Sequence, residues 1–373
     1  MKTFFGKFVH FAKKEMVLCI AFVLAVVSMF FVTPSAEYID YIDFRVIVLL
    51  FCLMTVVSGL YSCGLFNVVA KKMFSGEKRF WVVSLYLVAL PFFFSMFVTN
   101  DVSLIAFVPF AILVLDSIGK HDKLIFIIVL QTLAANLGSM LTPFGNPQNL
   151  FLYFKFNLSF SQFISIIFPY ALLSMFLLFV TTLFLSKEKV SLTLPSTQSE
   201  ITDKKSLVLF LIMFVLCILS VLRVLDYRIL LGIVLVALLV FSRASFKTVD
   251  YCLLFTFVCF FVFSGNLAKI PQVENIIENL TQQSTLLSSV LFSQVISNVP
   301  AAVLLSNFTT DYSSLIIGTN IGGLGTIVAS LASLISFKFY ANTPKAKSGK
   351  FLLIFTVANI VMLALMIGLS FII

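Results

Sequence analysis

Long apolar runs separated by short polar loops fill almost the whole chain, and none shows the two-residue alternation of a strand. Stretches such as 16–32, 46–60 and 351–373 approach or exceed the roughly 18 residues with which a helix crosses hydrocarbon. The pattern predicts an all-α polytopic membrane protein with nine spanning helices, near 16–33, 45–66, 124–152, 162–186, 206–222, 229–242, 250–266, 316–338 and 350–372. Two further segments, 80–118 and 284–314, are read as re-entrant hairpins. The first has a polar tip in its middle and would also fit two full spans. The first apolar run has no small-residue cleavage site and is expected to stay in the membrane.

Polar signatures inside the apolar background occur twice. Thr99-Asn100-Asp101 is followed by a Gly/Asn/Pro-rich break over 136–149, and Ser297-Asn298-Val299-Pro300 by a Gly/Asn/Thr-rich break over 319–326. Asn136-Leu137-Gly138 with Thr142 matches Asn320-Ile321-Gly322 with Thr326. Ile42-Asp43-Phe44 and Ser58-Gly59 match Val249-Asp250-Tyr251 and Ser264-Gly265. Three matches in one order predict a duplication: residues 1–186 as a first repeat, 187–228 as a cytoplasmic linker plus connecting helix, and 229–373 as a second repeat. Five crossings separate equivalent points, so the second repeat is expected to be inverted, with broken helices from both at the midplane.

Composition narrows the class. Hydrophobic residues make up 61% of the chain and charged residues 11%, far below the roughly one quarter of a soluble domain. The net charge of +9 is spread over many short loops without a stripe that would hold nucleic acid. With the N-terminus in the cytoplasm, only Arg45, Lys155, Arg223, Arg228 and Lys269 of the 25 basic residues fall outside, as the positive-inside rule requires. The expected location is a plasma (inner) membrane, crossed many times. The six cysteines lack C-x-x-C spacing and read as small core residues, and His10 and His121 as interfacial side chains.

Irregular backbone at membrane depth is tolerated only where protein or water satisfies its polar groups. Duplicated broken segments therefore point to a transporter's substrate and ion site. Pro143 and Pro147 lack N–H donors and Gly138 and Gly145 free the backbone, which leaves carbonyls and amides available in mid-membrane. The candidate binding set is Thr99, Asn100, Asp101, Asn136, Thr142, Gly145, Asn146, Asn149, Ser297, Asn298, Thr319, Asn320, Gly322 and Thr326. Amide and hydroxyl oxygens suit a hard cation, with Na⁺ placed at Asn100, Asn146, Asn298 and Asn320. N-termini of the resumed half-helices suit an anion. Packing glycines and proline kinks are the competing explanation, but packing alone does not call for paired amides. Asp101 is the one carboxylate placed well inside the membrane and marks a cation or proton pathway. Asp43, Asp116 and Asp250 are read as interfacial anchors.

At these residues the chain resembles the ion transporter superfamily, which includes divalent-anion/sodium symporters, citrate–metal symporters, arsenite permeases and one group of sodium/proton antiporters. The resemblance is carried by Thr142-Pro143-Phe144-Gly145-Asn146-Pro147-Gln148-Asn149, Ser297-Asn298-Val299-Pro300-Ala301 and Gly318-Thr319-Asn320-Ile321-Gly322-Gly323. It implies inverted repeats with hairpins facing opposite sides, a homodimer and an elevator-like movement. Sodium-coupled dicarboxylate members read Ser-Asn-Thr at both tips. This chain has Asp101 and Val299 at the third position, so one tip gains a carboxylate and the other loses a hydroxyl. The expected function is a secondary transporter of a small organic or inorganic anion, coupled to Na⁺ or H⁺ and needing no other cofactor. Cation/proton antiport and arsenite efflux are the alternatives within transport. An intramembrane lipid enzyme would need a nucleophile or metal beside its acid, and Asp101 has no such partner in the sequence.

Overall fold

The structure is a computed structural model that describes residues 15–65, 68, 73–74, 76–192, 203–344 and 346–373. Lys2, Lys7, Lys13, Lys14, Lys71, Lys72 and Lys345, which belong to the inner-loop charge count, lie outside the described residues, as does the linker stretch 195–199. Helices α1 (Met16–Met29), α2 (Phe44–Ser62), α3 (Phe80–Val98), α4 (Asn100–Ser117), α5 (Leu124–Ser139), α6 (Pro147–Lys155) and α7 (Phe160–Leu183) come first. They are followed by α8 (Lys204–Val221), α9 (Tyr227–Phe241), α10 (Tyr251–Leu267), α11 (Pro271–Ile296), α12 (Asn298–Leu305), α13 (Tyr312–Ile321), α14 (Leu331–Ala341) and α15 (Ser348–Ser370).

Among the described residues, seven helices are long and apolar enough to cross a membrane: α2, α3, α4, α7, α8, α15 and the segment 121–139 that contains α5. The protein is an all-α multi-pass membrane protein. Large apolar side chains stand exposed along α7 (Phe168, Leu172, Phe176), α8 (Val208, Ile212, Val215), α9 (Ile233, Val236) and α15 (Leu353, Val357, Val361). In water such surfaces would aggregate, whereas against lipid they cost nothing. Helix starts are set by short acidic caps. Asp43 accepts from Val46 N at 3.1 Å and Asp250 from Leu253 N at 2.9 Å, so these expected interfacial anchors satisfy otherwise unpaired first-turn amides. Asp116 instead pairs with His121 at 2.6 Å.

The 80–118 segment consists of two arms of 19 and 18 residues, each of spanning length. Their tip nevertheless meets the break between α5 and α6: Asn100 N donates to Gly145 O at 3.2 Å, and α6 runs on for nine residues beyond that break. The second hairpin is shorter. Helix α11 is kinked at Ser284 (φ −165°, ψ 105°), which leaves 285–296 and the eight-residue α12 as its arms. Residues 271–283, for which no helix was expected, are helical, and α11 is bent by 99° from α10. Their Pro, Glu, Asn and Gln content hides this amphipathic piece from a search for spans. The linker also begins with structure. Strand β1 (Gly76–Arg79) pairs antiparallel with β2 (Lys189–Leu192), and Lys120 bridges Glu188 at 2.5 Å.

Equivalent contacts recur in the two hairpin-plus-broken-helix units. Thr99 (φ 72°, ψ 153°) and Ser297 (φ 74°, ψ 156°) share one backbone conformation at the tips. Asn100 N donates to Gly145 O, and Asn298 N donates to Ala329 O at 3.0 Å. The hydroxyls of Thr142 and Thr326 reach the carbonyls of Met96 and Gln294. A Cβ on Gly138 would lie 2.7 Å from Ser95 Oγ, and one on Gly322 would lie 2.7 Å from Ser293 Oγ, so both breaks press onto the first arm of their own hairpin. Across units, α6 packs on α12 and α14 packs on α4. The second half of each broken helix thus lies against the other unit's hairpin.

Candidate functional site

Four helices begin at one buried place: α4 at Asn100, α12 at Asn298, α6 behind Asn146 and α14 behind Ser330. The residue before α6, Asn146, caps that helix by accepting from Asn149 N at 3.0 Å. Its Nδ2 then crosses to the other unit and donates to Asn320 Oδ1 at 3.1 Å. Ser330, before α14, makes no cap bond with its side chain but crosses in reverse, its Oγ donating to Asn136 Oδ1 at 3.1 Å. The residue preceding each second half-helix therefore holds the amide at the end of the other unit's first half-helix.

The rest of the network ties these crossings to the tips. Asn100 Nδ2 donates to Asn136 Oδ1 at 3.0 Å, so that oxygen serves two donors from two units. Asn320 Nδ2 donates to Asn149 Oδ1 at 2.6 Å and to Ile316 O at 2.8 Å. Asn149 Nδ2 closes the loop on Met140 O and Thr142 O, at 3.2 and 3.3 Å. Asn100, Asn136, Asn146, Asn149, Asn298 and Asn320 are all buried. Gly145 is required at its position, because a Cβ there would sit 2.1 Å from Ser139 O.

A cavity of about 220 Å³ opens beside this network and reaches toward the end of the bundle where α2 finishes and α10 starts. Thr99, Asp101, Asn146, Ser58, Tyr61 and Asp250 are among its lining residues. Asp101 Oδ1 is buried there without a hydrogen-bond partner, and Asn136 Nδ2 is likewise unpaired. Leaving such groups unmet costs about 1–3 kcal/mol each, more for a charge, unless a ligand or ion meets them. Four positive helix ends favour an anion, while the carboxylate and amide oxygens beside them favour a cation.

A model of the citrate transporter family matches residues 8–313. The chain belongs to the citrate transporter family. Among curated relatives, it is 30% identical to the uncharacterized transporter MJ0456 of Methanocaldococcus jannaschii over 85% of this chain and 86% of that one. It is 32% identical to the inner membrane protein YbiR of Escherichia coli over 80% of each chain. The chain is a membrane transporter, and neither its family nor these relatives are described as enzymes.

Within this transporter, most residues singled out from sequence come together. Thr99, Asn100, Asp101, Asn136, Thr142, Gly145, Asn146, Asn149, Ser297, Asn298 and Asn320 lie in or against the network. Three others do different work. Thr319 spends its hydroxyl on Leu315 O at 2.8 Å, one turn back in its own helix. Gly322 and Thr326 belong to a clamp in which Gln294 Nε2 donates to Gly322 O and Leu324 O, both at 2.8 Å, and Gln294 Oε1 accepts from Thr326 N at 2.9 Å. Ser330, Gln294 and the cavity-facing Asp250 escaped sequence reasoning. Ser330 was accessible in principle, since it follows Asn320 at the spacing by which Asn146 follows Asn136.

Proposed function

We propose that this protein is a secondary active transporter that moves a small anion, organic or inorganic, across the plasma membrane, coupled to Na⁺ or H⁺. The observation that carries the reading is the convergence of four helix N-termini and six buried asparagines from both units, with Asp101 on the adjoining cavity. Helix ends supply partial positive charge for the anion without a fixed cation that would hold it too tightly to release. Asp101 then has to be neutralised before an anion enters, and the coupling cation or proton performs that step. The two ions bind in sequence because each removes the other's electrostatic penalty.

An inverted pair of repeats supports alternating access of the elevator type, with the hairpins and broken helices as the moving part. The cavity mouth near Tyr61 and Asp250 corresponds to the cytoplasmic side when the N-terminus is placed inside. In that arrangement the cavity opens inward, and the protein is proposed to work as a homodimer. A second reading, cation/proton antiport, is favoured by one observation alone, the unpartnered Asp101 Oδ1.

Proteoliposome flux separates the two. With citrate, succinate, phosphate and arsenite offered in turn, anion symport predicts uphill accumulation of at least one of them under an imposed Na⁺ or pH gradient. Antiport predicts Na⁺-driven proton movement with no anion present. Strictly downhill flux of every solute would reject both.

A further inference from the structure

The end of the bundle where α2 begins carries Arg45, Lys155, Arg223, Arg228 and Lys269. Lys269 is neutralised by Glu37, whose carboxyl it holds below its ordinary pKa, and Lys155 donates to Asn307 Oδ1 at 2.9 Å. Arg45, Arg223 and Arg228 form no ion pair among the described residues, and Arg45 and Arg223 are further set apart by a shared ring. Both guanidiniums lie over one aromatic ring, Phe154, at 5.2 and 5.5 Å from its centroid. Arg45 also stands over Tyr227, and Arg223 stands over Tyr153, whose carbonyl accepts from it at 3.5 Å.

A separate cavity of about 180 Å³ is lined by Arg45, Phe154, Ser220, Arg223, Asp226 and Tyr227. Ser220 is only 4% exposed, and its hydroxyl has no hydrogen-bond partner. Asp226, the carboxylate on this cavity, has its Oδ1 committed to Arg228 N at 2.8 Å as the cap of α9. Arg223 follows the end of α8 with φ 63°, a position that glycine usually fills. That conformation closes the end of α8, with Arg223 N donating to Ser220 O at 3.0 Å and Val224 N to Leu219 O at 2.9 Å, and it fixes where the Arg223 side chain starts. Two guanidiniums on one ring and a buried hydroxyl left unmet are each unfavourable alone. One oxyanion in the cavity accounts for both: its oxygens accept from the two guanidinium forks and from Ser220 Oγ.

We propose that Arg45, Arg223 and Ser220 form an oxyanion site for a carboxylate or phosphate group, separate from the pocket of paired asparagines. This assignment does not depend on the transport reading. The group comes from a free anion in the aqueous phase or from the headgroup of an anionic phospholipid. Val224 and Ile229, 74% and 56% exposed beside the cavity, would lie along the acyl chains of such a lipid.

The test is modification of the full-length protein by phenylglyoxal, with rates read at each arginine by peptide mass spectrometry. It is run in phosphate-free maltoside micelles with no additive, with inorganic phosphate or acetate, and with short-chain phosphatidylglycerol against uncharged diacylglycerol. Arg228 is the internal reference. The expected result is several-fold slower modification at both Arg45 and Arg223 with an anionic additive, and no change at Arg228. Protection by phosphate or acetate identifies a free anion, and protection by phosphatidylglycerol alone identifies a headgroup. Equal rates in every arm, or slowing that Arg228 shares, would overturn the site. In Arg45→Gln, protection of Arg223 is expected to disappear; its persistence would show that the two guanidiniums do not share a ligand.

Discussion

The two hairpin-plus-broken-helix units share their backbone plan and differ in their chemistry. Tip conformation, tip-to-break hydrogen bonds and cap-to-amide crossings recur. What differs is a carboxylate at Asp101 against Val299, an asparagine cap at Asn146 against Ser330, and a break stiffened by Pro143 and Pro147 against one rich in glycine. The shared contacts hold the four helix ends together, and the differences make the pocket lopsided. A symmetric pocket would treat cation and anion alike from both sides. Here the unpartnered buried carboxylate belongs to the first unit, with Asp250 at the start of α10 on the same cavity. Cation binding is therefore expected on the Asp101 side, with the second unit's hairpin and broken helix contributing helix dipole and amide donors.

The largest expected effect comes from removing that asymmetry. Asp101→Asn keeps the shape and deletes the charge, so gradient-driven accumulation in proteoliposomes is expected to vanish while the protein stays folded. Accumulation at the wild-type level would show that the carboxylate plays no part in coupling.

Next come the crossings. Asn320→Ala orphans Asn149 Oδ1 and leaves Asn146 Nδ2 with Ser139 Oγ alone, at 3.3 Å; it is expected to destabilise by about 2 kcal/mol, at about 1–3 kcal/mol per buried orphaned group. Asn136→Ala orphans Asn100 and Ser330 in the corresponding place and should cost about 2 kcal/mol, since one of those partners is a hydroxyl. Denaturant unfolding in detergent would measure both. A cost confined to one of them would mean that the crossings are not equivalent.

The breaks differ in how they are stiffened. Prolines limit the first, whereas the Gln294 side chain ties three backbone groups of the second. Gln294→Met places there the residue that occupies the corresponding position, Met96, of the other unit. It is expected to lower stability by about 2 kcal/mol and to raise amide exchange over 322–326, because no proline takes over the constraint. Unchanged exchange would remove the clamp.

The smallest effect is at the tips. Thr99 and Ser297 sit in a backbone region that is essentially glycine-only and costs about 1–3 kcal/mol. Thr99→Gly relieves that strain against about 1 kcal/mol of added backbone freedom in the unfolded chain. Its thermal midpoint should therefore equal or slightly exceed the wild type. Ser297→Gly should gain less, because Ser297 Oγ also donates to Ala329 O at 3.2 Å.

Much of this architecture is legible in the sequence, because Asn, Gly and Pro are conspicuous against an apolar background. Their presence in membrane is explained only by partners or a cavity. The tips, both breaks and the matching of Asn136 with Asn320 follow from that contrast alone. Ser330 stayed hidden because a serine within an apolar stretch resembles ordinary helix packing. Its role comes from a register to Asn320 that matters only once the units cross. Asp250 stayed hidden because capping α10 and lining the cavity are compatible, and a sequence displays only the first. The 271–283 helix and the β1–β2 pair lie in polar segments where hydropathy carries no signal.

Side chains of both units form one pocket. The most direct test of this is equilibrium binding of a single radiolabelled anion, whichever the wild type accumulates, to purified wild type, Asn146→Ala and Asn298→Ala. Each substitution, one in each unit, is expected to weaken binding of that anion by roughly tenfold or more, the equivalent of about 1.4 kcal/mol. Wild-type affinity in either folded variant would contradict it.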